Sequence, residues 1–211
     1  MNSIASFPPS LGHATTVDAR YEAAMFDYAS GALPAGPAFV VAAHMALRPD
    51  AKRMCEVFDA AGGSLLDDLD PVTMGQPTWL MSDMPAPTKP VTGSIDMAHV
   101  LASFDQGRWK RNLAGMLVKP VPGVDAQLLK LEAGRSVPHH GHNGLELTLV
   151  LSGSFGDGHG TYRRGDLVVQ DQDSEHQPCA VANSDCICLI SQTAPVRLKG
   201  VLGWLINRVS A

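Results

Sequence analysis

Between residues 134 and 153 the chain reads GRSVPHHGHNGLELTLVLSG, and the spacing within that run restricts the fold more than any other feature. Gly134 is followed after five residues by His140-x-His142, after three more by Glu146, and after six more by Gly153. Side chains alternate faces along a strand, so His140 and His142 share one face. Asn143-Gly144 is a dipeptide that reverses a chain in a tight hairpin. The returning strand, rich in Leu, Thr and Val, carries Glu146 near its start, beside the two imidazoles. Two histidines and a carboxylate grouped this way suit a divalent transition metal. A further candidate ligand, His176, follows in GDLVVQDQDSEHQP.

The other histidines read differently. His139 adjoins His140 and points off the metal face. His159 stands at a glycine-rich hairpin tip, His13 in a Pro/Ser-rich start, and His99 has no visible partner. Of the four cysteines, Cys186 and Cys188 share one strand face, Cys179 follows His176, and Cys55 is alone. None forms a Cys-x-x-Cys pair, which fits a reduced, cytoplasmic protein whose thiols pack. No run of about 18 apolar residues occurs, so no membrane span is expected.

The pattern divides near residues 71–94, where Pro71, Pro77, Pro85, Pro87, Pro90 and Gly93 read as a linker. Before it the chain is helical. Thr16 or Asp18 caps a helix carrying Tyr21, Met25 and Tyr28, ended by Gly31. Pro37 opens a second, Ala38 to Leu47. Pro49 begins a third, with Met54, Val57 and Phe58 on one face and Gly62-Gly63 at its end. Ser64 caps a short turn, Leu65 to Leu69. A helical unit of some seventy residues buries a marginal core. Its Phe39, Val40, Met45 and Leu47 are therefore expected either at a partner or dimer contact, or packed within the bundle or docked on the second half. After the linker short β segments recur: Leu113–Val118, Ala126–Leu131, Leu145–Leu151, Asp166–Gln170, Ile187–Ser191 and Arg197–Leu202. The expected organisation is α+β, with residues 1–70 helical, 71–94 linker, 95–200 an all-β domain, and 201–211 a tail.

Charge follows the same division. The formal net charge is −5, and residues 1–90 carry all of it, since acidic and basic side chains balance in 91–211. An acidic helical unit disfavours direct nucleic-acid binding, which needs a basic face. It is compatible with a basic protein partner or a plain solvated surface.

The first motif resembles the first signature of the cupin superfamily and is complete. The second is partial: Gly165 and His176 match, while Asp171 and Asp173 replace the usual Pro and Gly, and Ala180 the trailing Asn. This resemblance implies a double-stranded β-helix, or jelly-roll barrel, with His140, His142, Glu146 and His176 as ligands of one divalent metal. Zinc is the first choice by resemblance, with iron, manganese and nickel tolerated by the same set. The combination of acidic helices, linker and cupin resembles the ChrR-type anti-sigma factors over nearly the whole chain. FDYASGALPAGPAFVVAAHMAL is similar to their sigma-binding helices, and ELTLVLSGSFGDGHGTYRRGDLV to their cupin core.

That resemblance implies a sigma-factor partner gripped through residues 14–70 and release under singlet oxygen or related oxidative stress. Such helical units bind zinc through His-x-x-x-Cys-x-x-Cys. Here His44 matches the first position, but Arg48 and Ala51 replace the cysteines, so no zinc is expected in the N-terminal unit. The alternative is a cupin metalloenzyme, a dioxygenase or isomerase acting on a small organic substrate at the three-histidine, one-glutamate metal. The regulator reading is preferred because an enzyme reading leaves residues 1–90 without a role. Cupins also pair through strand edges, which makes a homodimer a weak expectation.

Overall fold

The computed structural model describes residues 18–67, 69–70, 108–112 and 115–198. The linker 71–94, the tail 201–211, His13, His99 and Leu113 lie outside them.

Helix α1 (Ala19–Ala29) starts at Asp18, whose carboxylate accepts the Arg20 amide, one of the donors a helix start leaves open. It stops at Ser30, and the left-handed residue that follows is Gly31, with φ 74°. Helix α2 (Ala35–Leu47) opens at Pro34, earlier than expected. Pro37 falls inside its first turn, where the missing N–H has no intrahelical role to lose. Helix α3 (Pro49–Ser64) begins at a proline as expected but runs through Gly62-Gly63. Both glycines keep right-handed angles, at a penalty of about 1 kcal/mol each against alanine.

The strands are β1 (Lys110–Arg111), β2 (Leu117–Pro120), β3 (Gln127–Leu131), β4 (His140–His142), β5 (Glu146–Ser152), β6 (Ser154–Gly156), β7 (Thr161–Arg163), β8 (Leu167–Gln170), β9 (Glu175–His176), β10 (Cys179–Ala180), β11 (Cys186–Gln192) and β12 (Val196–Leu198). They form a six-stranded antiparallel sheet ordered β1-β2-β3-β11-β5-β8 and two three-stranded sheets, β10-β6-β7 and β12-β4-β9. All pairings are antiparallel.

The hairpin expected at Asn143-Gly144 does not form. β4 pairs with β9 and β12, whereas β5 pairs with β8 and β11 in the larger sheet. Asn143-Gly144 therefore carries the chain from one sheet to the other. Gly144 is needed there because a Cβ would press on Thr193 Oγ1 and Ala194. The Leu145 amide donates to that same Thr193 hydroxyl at 2.9 Å.

The centre of the large sheet, β5 and β11, is buried on both faces, which is why β5, ELTLVLS, reads as an almost unbroken apolar run. Leu147, Leu149 and Leu151 join Leu128, Val169 and Leu189 on the outer face. There they form one continuous core with Met25, Val40, Val41 and Ala43 of the helices. Val150, Val168, Cys188 and Ile190 belong to the cluster inside the barrel. Met25, Val40, Val41, Leu147, Leu149 and Leu189 are each 0% exposed, and each contributes about 1.5–3 kcal/mol by leaving water. Phe39, Met45 and Leu47 pack against the same core, so the docking alternative holds for this face of the helices. At Gly36 the α2 backbone runs so close to the sheet that a Cβ would collide with the Asp125 carbonyl oxygen and the Ser191 hydroxyl.

Polar contacts frame this interface. Arg20 Nε donates to Asp171 at 2.7 Å, and Arg48 Nη1 to Asp166 at 3.1 Å. Both arginines are 41% exposed, so each pair contributes at most about 1 kcal/mol. Apolar burial holds the helices to the barrel, and the ion pairs fix their orientation.

Candidate metal centre

His140 and His142 lie on β4, Glu146 at the start of β5, and His176 at the end of β9. Register brings them together. His140 sits directly opposite His176, and the short crossing after His142 returns the chain with Glu146 facing the same interior. All four are buried, at 5%, 2%, 5% and 4% exposure. One ligand atom from each lies within 4.8 Å of every other, so the quartet could hold a metal ion.

The donor atoms converge. His176 Nε2 is 3.0 Å from His140 Nε2 and 3.3 Å from His142 Nε2, and His142 Nδ1 is 3.6 Å from Glu146 Oε2. Nitrogens about 2.0–2.1 Å from one zinc ion stand about 3.3 Å apart at tetrahedral angles, so the cluster has the dimensions of a chelate. The other sides of His140 and Glu146 are held. His140 Nδ1 donates to the Pro138 carbonyl at 2.8 Å, which leaves its Nε2 lone pair pointing inward. Glu146 accepts from Thr148 Oγ1 at 3.1 Å and from Gln192 Nε2. Burial pushes the His140 and His142 imidazoles below their usual pKa, and the Glu146 carboxylate only partly offsets this at both. Both are thus neutral at pH 7, the form that ligates.

Asp157 has a role the sequence did not announce. Its Oδ2 lies 3.5 Å from His176 Nδ1 and has no full hydrogen bond of its own. Its Oδ1 accepts the amides of His159 and Gly160 at 2.9 and 3.1 Å. Burial raises this carboxyl, but the facing His176 imidazole and those two amide bonds outweigh it and hold the pKa below the ordinary value. An ionised carboxylate behind Nδ1 favours the tautomer that leaves Nε2 free for a metal. In the sequence Asp157-Gly158 reads only as a turn.

Other histidines fall where expected or gain a role. His139 is exposed, and His159 is an exposed loop residue whose Nε2 reaches the Glu175 carbonyl at 3.4 Å. His44 is 3% exposed. Its Nδ1 meets the Gly165 carbonyl of the barrel at 2.9 Å, and its Nε2 meets Tyr21 Oη at 3.0 Å. Gly165 opens the second cupin signature, so a residue of the helical zinc pattern here docks helix to barrel. Arg48, at a cysteine position of that pattern, binds Asp50 and Asp166. Ala51, at the other, is buried in the shared core.

Beside the quartet the barrel encloses a cavity of about 330 Å³, bordered by His140, Glu146 and His176 at one end and by Leu129, Leu131 and Phe155 elsewhere. Cys186 and Cys188 line it with their sulfurs 3.7 Å apart.

An antiparallel jelly-roll barrel with three histidines and a glutamate gathered inside defines a cupin. Residues 97–196 match the family model described as the ChrR cupin-like domain. The anti-sigma-E factor ChrR of Cereibacter sphaeroides is 35% identical over 201 residues, covering 88% of this chain and 94% of that protein. The chain therefore belongs to the ChrR family of anti-sigma factors. Among solved structures it resembles ChrR in the crystal structure of the Rhodobacter sphaeroides complex of SigE with that anti-sigma factor. The TM-score is 0.64 at 34% identity, covering 81% of this chain and 96% of the other.

Proposed function

We propose that this chain is an anti-sigma factor that sequesters an extracytoplasmic-function sigma factor through its helical unit. The observation that carries the reading is the likeness to ChrR, which extends across helices and barrel alike. The helices supply a further reason. Their inward face is docked on the barrel, yet Phe26, Val57, Leu65 and Leu66 remain 55–76% exposed, apolar side chains left available for a protein contact. A sigma factor acts on RNA polymerase, so the site of action is the cytoplasm. Among the described residues no helix is long and apolar enough to cross a membrane.

On this reading residues 1–70 are the sigma-binding unit, 71–94 the linker, 95–200 the cupin and 201–211 a tail. His140, His142, Glu146 and His176 hold one divalent ion, zinc by kinship. The metal orders the barrel wall, and oxidative stress such as singlet oxygen acts through the cupin to release the sigma factor. The helical unit is read as zinc-free, because His44 is engaged with Tyr21 and Gly165.

The test is co-expression of the full chain with the extracytoplasmic-function sigma factors of its source organism. One of them should co-purify as a stable complex and lose transcription activity in vitro. Retention of none would leave the metalloenzyme reading, which the cavity beside the quartet favours. Oxygen uptake by iron-loaded protein on diketone or flavonol substrates examines that reading.

A further inference from the structure

The cavity inside the barrel is graded in polarity. Successive inward residues of β11 are Gln192, Ile190, Cys188 and Cys186, all on its wall. Gln192 stands opposite Glu146, and Cys186 opposite Leu131. One end is therefore amide, carboxylate and imidazole, and the other is thiol and hydrocarbon. A void of this size along the hydrocarbon and thiol end weakens the fold in proportion to its volume. An occupant that matched the gradient would recover that loss.

Its charge can be worked out. A divalent ion held by Glu146 and three neutral imidazoles keeps one net positive charge. The remaining polar lining side chains, Asn112, Gln127, Thr148 and Gln192, are uncharged. The interior thus matches one negative charge at the quartet and nothing charged beyond it. With about 30 Å³ as the liquid volume of one water-sized group, 330 Å³ takes roughly ten such groups. We propose that the barrel interior is a binding site for a small amphipathic monocarboxylate, its oxygens at the quartet and its hydrocarbon body against Leu131, Phe155 and Cys186. The site stands whether or not the chain binds a sigma factor.

Isothermal titration of the zinc-loaded full chain tests it with four probes: octanoate, which has the right size and charge, butanoate, octylamine and octanedioate. Octanoate should bind with a stoichiometry of one. Butanoate and octanedioate should bind at least tenfold more weakly, and octylamine not at all. Metal-stripped protein should lose at least tenfold in octanoate affinity. Val168→Phe places a ring in the void and should abolish binding while leaving the melting temperature unchanged or higher. Should that variant fold poorly, intermolecular NOEs from the octanoate methyl to Met116 and Leu131 in the unaltered protein give the same information. No heat with octanoate, equal binding of octylamine, metal-independent affinity, or binding undiminished in a well-folded Val168→Phe protein would each overturn the proposal.

Discussion

His176 joins the quartet from β9, directly opposite His140, and Asp157 favours the tautomer whose free nitrogen faces inward. Asp157→Asn removes the charge behind Nδ1 while keeping the amide bonds at Oδ1 within reach of the new side chain. A partner of this kind is worth 10–100-fold in metal affinity. Competition with a chromogenic chelator should give a loss in that range, with circular dichroism unchanged. Unchanged affinity would mean that Asp157 does not set the His176 tautomer. The grouping of the quartet was legible in the sequence because three of its members sit at fixed spacing along two strands. Asp157 was not, since it meets His176 only when the glycine-rich loop between β6 and β7 folds over β9.

His44 carries a pH signature. Burial holds its imidazole below the usual pKa against the opposing pull of the Gly165 carbonyl, with Arg48 also lowering it and Asp50 and Asp166 raising it. The unfolded chain therefore takes up the proton first as pH falls. Stability from this group is complete above the unfolded value of about 6.5 and declines below it until the folded group also protonates, by up to about 1.4 kcal/mol per pH unit. Urea midpoints of metal-loaded protein between pH 7.5 and 5.5 should fall less steeply for His44→Gln than for the unaltered chain. Parallel slopes would show that His44 titrates normally and does not pin the interface.

At the scale of elements, the contact between α2 and the sheet is the most sensitive feature. Gly36→Ala is ordinarily favourable inside a helix, and here it should do the opposite. The added methyl meets a backbone carbonyl and a hydroxyl that are themselves joined, Ser191 Oγ donating to Asp125 O at 2.7 Å. Neither can withdraw without breaking that bond, so the expected loss is about 1–3 kcal/mol, read as a lower denaturation midpoint. A neutral or stabilising effect would mean that α2 stands off the sheet in solution. The sequence placed all three helices and the long strands within a few residues. It misjudged Asn143-Gly144 because a turn dipeptide specifies a reversal but not whether the chain returns to the same sheet. Gly36 gave no local sign, since its reason lies in Asp125 and Ser191, about ninety and a hundred and fifty positions away.

For the whole molecule, the sharing of one core between helices and barrel has a thermodynamic consequence. The sequence division near residue 71 suggests two units that melt separately. The packing of Met25, Val40 and Val41 with Leu147, Leu149 and Leu189 argues for one. If the helices detached, those fully buried side chains on both surfaces would return to water together, at about 25 cal/mol for each Å² of apolar surface exposed. The ion pairs Arg20–Asp171 and Arg48–Asp166, being part-exposed, could not hold the helices alone. Denaturant unfolding of metal-loaded protein should then be a single transition, with helical ellipticity at 222 nm and chelator-detected metal release sharing one midpoint. Helix loss that precedes metal release would place the boundary of cooperativity at the α2–sheet interface. In that case the helical unit could leave the barrel while the metal stays bound, and a sigma factor competing for its inward face would meet little resistance. Coincident midpoints would instead confine any partner to the outward apolar side chains around Phe26 and Val57, unless the cupin is first disturbed.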